Sequence, residues 1–107
     1  MRMHEYQQSA AKTALKPAMT LHYLAPGCAA EAGEVAGKWA KAVRDNGGIL
    51  DEERRAELLK EVGDNLWFLA LICEVMGTTL DEVAEANLNK LMSRKERGVL
   101  GGSGDNR

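Results

Sequence analysis

The chain has 107 residues, 45% hydrophobic and 28% charged, with a formal net charge of −2. A chain this short holds one domain with a limited core, which partner subunits often complete. The near-neutral balance excludes a whole-protein field that would draw in nucleic acid or an acidic membrane, so a polyanionic ligand would need a local basic patch or metal ions.

Punctuation divides the chain into four helical segments without an internal repeat. The first, Met3 to about Leu15, stops ahead of Pro17, because the residue before a proline resists helical dihedrals. The second runs from about Thr20 to Asp45, with Pro26 and Gly27 marking a start or a kink near Leu24. It ends at Asn46, Gly47 and Gly48, where glycine suits the left-handed cap. The third opens at Asp51, with two more acids in its first turn set favourably against the helix dipole, and runs to about Met76 before Gly77. Thr79 caps a fourth helix that carries Asp81 and Glu82 near its start and continues to about Arg97, before Gly98. The tail GGSGDNR is glycine-rich and polar, and is expected to be disordered. No segment alternates with the period of two that marks a half-buried strand. The expected fold is all-α and four-helix bundle-like, with one domain over residues 1–98 and a disordered tail over 99–107.

Cys28 and Cys73 are too few and too far apart for a zinc site or a disulfide framework, and each reads as a small core residue in an apolar stretch. The opening MRMHEYQQS has no apolar core of signal-peptide length, and the apolar run Leu66 to Cys73 falls well short of the ~20 residues of a membrane helix. A cytoplasmic location is therefore expected, with neither membrane nor nucleic acid as partner.

The second helix carries EAGEV and the third EVGDN, so Glu31 with Glu34, and Glu61 with Asp64, are each three residues apart. Residues three apart share a helix face. Two antiparallel helices bearing such pairs can point four carboxylates into one space, where their repulsion favours a hard divalent cation, magnesium or manganese. Acids at this spacing most often line a solvated face, and Glu34 with Lys38 makes an ordinary i, i+4 pair. The third helix argues for more than that. Its acidic stripe Glu57, Glu61 and Asp64 continues directly into Phe68, Leu71 and Ile72, within a stretch apolar on nearly every side. That pattern fits acids at the mouth of an apolar pocket.

The two quartets, EAGE at 31–34 and EVGD at 61–64, stand in the order E-x-x-E then E-x-x-D that marks the all-α nucleotide pyrophosphohydrolases. The flanks LHYLAPGCAAEAGEVAGKWAK and EVGDNLWFLALI resemble the second and third helices of the MazG-like family. NLNKLMSR in the fourth helix is similar to its N-x-x-K-L-x-x-R. The likeness spans Tyr6 to Gly98. It departs at Asn65, where the family usually has a branched apolar residue, and Asn65 either touches a metal-bound water or the substrate or caps a local polar contact.

The resemblance implies hydrolysis of a nucleoside or deoxynucleoside triphosphate to the monophosphate and pyrophosphate. It makes Glu31, Glu34, Glu61 and Asp64 either all ligands of magnesium (or manganese), or three ligands and one general base that orients the water. Asn87, Lys90 and Arg94 form one stripe on the fourth helix, beside the apolar stripe Leu80, Ala84, Leu88 and Leu91. The polar stripe reads either as phosphate contacts or as solvated cations near a helix C-terminus. Lys38 is a further candidate phosphate contact. Tyr6, His22, Tyr23 and Phe68 either stack on a base or serve as core, Trp39 and Trp67 read as packing residues, and His4 as exposed. The apolar girth of Leu66 to Cys73, with the resemblance, implies a homodimer or homotetramer joined along the third helix. Competing readings are a related pyrophosphohydrolase of dUTPase or phosphoribosyl-ATP type, and a non-catalytic helical interaction protein. A di-iron bundle is disfavoured, since neither histidine stands three residues after a glutamate.

Overall fold

A computed structural model describes residues 1–107 as α1 (Met3–Thr13), α2 (Leu21–Asn46), α3 (Glu52–Val75) and α4 (Leu80–Glu96), with one 3-10 turn at Lys16–Ala18 and no strand. Local chemistry sets the helix ends. Thr20 caps α2 by accepting the Tyr23 N–H, Asp51 caps α3 by accepting the Arg54 N–H at 2.9 Å, and Thr79 caps α4 by accepting the Glu82 N–H at 3.1 Å. Gly47, at φ 59°, closes α2 in the left-handed region. Pro26 lies inside α2, so the helix begins upstream of it, at Leu21. A proline this near a helix start forfeits only one ladder bond.

The short loop between α2 and α3 makes them an antiparallel pair, and α1 and α4 both pack on α3 and on each other. The core joins Ala10 of α1, Leu24 of α2, and Phe68, Ala70 and Leu71 of α3. Gln7, almost fully buried, ties α1 to the α3–α4 turn. Its Nε2 donates to Glu74 Oε2 and to the Thr78 carbonyl, and its Oε1 accepts the Leu80 N–H, each at 2.9 Å. His4 is not simply exposed: its Nδ1 stands 2.9 Å from Asp81 Oδ2 at the start of α4.

One expectation differs from the structure. The apolar girth of Leu66 to Cys73 is largely covered within the chain, since Phe68, Ala70, Leu71 and Cys73 are buried and Leu69 alone is 45% exposed. Antiparallel α2 on one side and α1 on the other hide it. Exposed apolar side chains also lie elsewhere, among them four on α4 (Val83, Leu88, Leu91, Met92) and four near the α2–α3 loop (Val43, Ile49, Leu50, Leu59). The tail over 99–107 curls back on α4. Arg94 Nη2 donates to the Asp105 carbonyl at 2.9 Å, and Arg107 Nε donates to the Gly101 carbonyl at 2.9 Å. Arginine donors meeting the free carbonyls of a glycine-rich turn account for that closure.

The chain is open for its size. Its radius of gyration is 16.8 Å, against ~13 Å for a compact domain of this length. Its accessible surface is 7636 Å², about 1,700 Å² more than a monomer of its mass usually shows.

A carboxylate cluster between two antiparallel helices

Glu31 of α2 and Glu61 and Asp64 of α3 each bring a carboxylate oxygen within 4.8 Å of the others. The first two side chains are partly buried and Asp64 is exposed. Around a small octahedral cation neighbouring oxygens stand ~3 Å apart and opposite ones ~4 Å, so these side chains need close only slightly to hold a hard divalent ion such as magnesium or manganese. Partial burial, followed by the charges of Asp64, Glu61 and Glu34, raises the Glu31 carboxyl above its ordinary value. Glu34, one turn along α2, thus acts on the cluster electrostatically but lies outside the three gathered oxygens.

The neighbours of the cluster are set by all three packed helices. Lys38 Nζ stands 3.5 Å from Glu57 and 3.9 Å from Glu61, so this candidate phosphate contact is engaged with carboxylates. Lys38 and Glu57 also border a cleft of 240 Å³ whose other charged walls are Lys41, Asp45, Glu53 and Arg54. Sequence reasoning missed that cleft, although Lys38 with Lys41, and Arg54 with Glu57, carry the i, i+3 spacing that would have pointed to it. From α1, Tyr6 reaches the same region. Burial, then the charge of Asp64, raises its phenol above the ordinary value. Asn65 resolves to the local polar alternative: its Nδ2 donates to the carbonyls of Glu31 and Glu61.

The candidate base-stacking residues separate by environment. Phe68 is core, with Trp67 edge-on at 5.0 Å and Tyr23 tilted at 5.9 Å between ring centroids. Trp67 also donates from Nε1 to Thr13 Oγ1 at 2.8 Å, which fits its expected packing role, whereas Trp39 is 45% exposed. His22 and Tyr23 face solvent at the start of α2.

The α4 stripe is not gathered with the acids in this chain. Asn87 and Lys90 are exposed, while Arg94 is buried beneath the tail. Asp105 holds both cations, at 3.7 Å from Lys90 Nζ and 3.5 Å from Arg94 Nη2, and neither pairs with Glu31, Glu34, Glu61 or Asp64.

An all-α domain that gathers carboxylates from two facing helices into one cluster is the class these features define. The profile of the MazG nucleotide pyrophosphohydrolase domain matches residues 19–99, and the chain belongs to that family. The match takes in both acidic pairs and the α4 stripe and leaves α1 outside. A relative in Mycobacterium phage L5, named Gene 37 protein, is 41% identical over 114 aligned positions that cover the whole of both chains. No solved structure shows significant similarity to the chain. No helix is long and apolar enough to cross a membrane.

Proposed function

We propose that this MazG domain hydrolyses a nucleoside or deoxynucleoside triphosphate to the monophosphate and pyrophosphate, using magnesium or manganese. The carrying observation is the meeting of Glu31, Glu61 and Asp64 from two helices inside the matched segment. Glu34, whose charge already acts on Glu31, is the fourth ligand. Divalent ions held by these acids would supply charge neutralisation for the phosphates and a water of lowered pKa for attack on the α-phosphorus. The chain's own acids orient those ions and accept the proton of the water. Lys38 would exchange its long pairings with Glu57 and Glu61, at 3.5 and 3.9 Å, for the phosphates.

Asn87, Lys90 and Arg94 meet the phosphates from α4 of a neighbouring subunit, because within one chain they pair with none of the acids. The active unit is a homodimer or homotetramer. The excess surface of about 1,700 Å² is roughly twice what one standard interface hides on each partner, which favours two interfaces per chain. The apolar side of α4, where Leu88 is 61% exposed, supports the same assembly.

Pyrophosphate release from each common NTP and dNTP, with and without magnesium, tests the reaction, and light scattering tests the assembly. Magnesium-dependent release by an oligomer is expected. No release from any nucleotide would overturn the activity in favour of a helical interaction protein, and full activity at the monomer mass of 11.7 kDa would overturn the assembly.

A further inference from the structure

Asn65 follows Asp64 on α3. Both hydrogens of its amide are used, and both fall on the cluster's own backbone. Nδ2 donates at 2.9 Å to the carbonyl of Glu31 across the helix pair, and at 2.8 Å to the carbonyl of Glu61 one turn back. A helical carbonyl keeps a second lone pair after serving the ladder, so neither acceptor is taken from its helix.

We propose that Asn65 is a positioning residue for the metal site: its amide ties α2 to α3 at the level of Glu31, Glu61 and Asp64. The proposal rests on the metal-dependent reading above. Three like charges within 4.8 Å push the two helices apart when no cation is bound. The other polar link across the pair at this level, Lys38 to Glu61, spans 3.9 Å between two flexible side chains. The Asn65 bond is short, partly buried and ends on backbone. It therefore holds the spacing of the helices themselves, and with it the distance from Glu31 to the two ligands of α3. A branched apolar residue at this position packs but offers no directional link. Groups that hold ligands in place from behind commonly govern metal affinity by about 10–100-fold.

Two variants separate the tie from general packing. Asn65→Leu places an apolar residue of similar size there and removes both bonds. In Asn65→Ser the hydroxyl can still bond back to the Glu61 carbonyl one turn earlier, so only the bond between helices is lost. Mn2+ binding to the full chain, followed by the paramagnetic resonance of the free ion without nucleotide, gives a readout independent of turnover. Melting without metal reports folding. Both variants are expected to bind Mn2+ roughly 10-fold or more weakly than the unaltered chain. Each needs correspondingly more magnesium for half-maximal turnover, with KM for the nucleotide at saturating magnesium unchanged. Should Asn65→Leu not fold, Asn65→Ser decides alone. Mn2+ affinity within about twofold of the unaltered chain, whatever the change in Tm, overturns the proposal, because a packing role lowers stability without moving metal affinity. Failure of the unaltered chain to bind Mn2+ removes the metal site itself and both readings with it.

Discussion

The ring of Phe68 packs directly on the backbone of Gly27. A Cβ placed on Gly27 would stand 2.7 Å from Phe68 Cζ and closer still to Cε1. In an exposed helix Gly→Ala gains up to ~1 kcal/mol, but overpacking a ring fixed in a core costs about 1–3 kcal/mol. Gly27→Ala should therefore lower stability on balance. Gly33 has nothing within 4 Å of an added Cβ, so Gly33→Ala should raise the stability of the dissociated chain by ~0.5–1 kcal/mol. Chemical denaturation of both variants checks the opposite signs, and a stabilised Gly27→Ala would contradict the packing described.

Gln7 joins three segments with one side chain. Gln7→Leu leaves the Leu80 N–H and the Thr78 carbonyl without their side-chain partner, at a cost of about 1–3 kcal/mol. In a domain of this size each kcal/mol corresponds to a Tm change of roughly 4–8 °C. A melting curve within error of the unaltered protein would show that the α1 clamp is dispensable.

Asp51 and Glu31 should give opposite pH signatures. The Arg54 backbone N–H at the α3 N-cap, with the Arg54 guanidinium, holds the Asp51 carboxyl below its ordinary 3.8. A carboxyl lowered on folding adds stability above its unfolded pKa, and that stability is lost as pH falls through the folded one. Asp51→Ala should thus lower Tm at neutral pH, and the difference should vanish in strong acid. Glu31, raised above 4.5 by burial and its acidic neighbours, works the other way. Without metal its contribution is present below that pH and is lost as pH rises through the raised value. Melting series for Asp51→Ala and Glu31→Gln from acid to neutral pH should diverge from the unaltered chain with these two trends.

Asp64→Asn and Glu31→Gln remove cluster charges at nearly constant volume. Each should abolish pyrophosphate release while leaving the metal-free Tm equal or higher, since a repulsion has gone. Near-normal turnover of either variant at saturating magnesium would show that the metal lies elsewhere.

Asp105 occupies the two cations proposed to receive phosphate, and Arg94 Nε is buried without a partner. The tail carboxylate should then compete with the triphosphate. Asp105 itself is 89% exposed, and an ion pair with so solvated a carboxylate is worth about 0–1 kcal/mol, so Asp105→Asn should lower KM by up to ~5-fold with kcat unchanged. Lys90→Ala and Arg94→Ala should raise KM. Steady-state kinetics distinguishes these outcomes, and an unaltered KM in Asp105→Asn would leave the tail contact without effect on substrate.

The positions of the helices were legible because their signals are local. Thr20, Asp51 and Thr79 each satisfy an N–H three residues ahead, and Gly47 turns the chain at its own φ, so no distant residue is needed to read them. The acid pairs were legible for the same reason, since spacing of three fixes a shared face whatever the helix packs against. The tertiary structure decided which faces meet. It placed Asn65 against a carbonyl 34 positions away, and Gln7 and His4 against partners 67 to 77 positions away. It gave Lys38 carboxylates rather than solvent, buried Arg94 under its own tail, and covered most of the α3 apolar girth that looked unpartnered. Helical periodicity states which side chains share a face, but the separation of two helices and the rotation of each about its axis are properties of packing. The distances of the site depend on both.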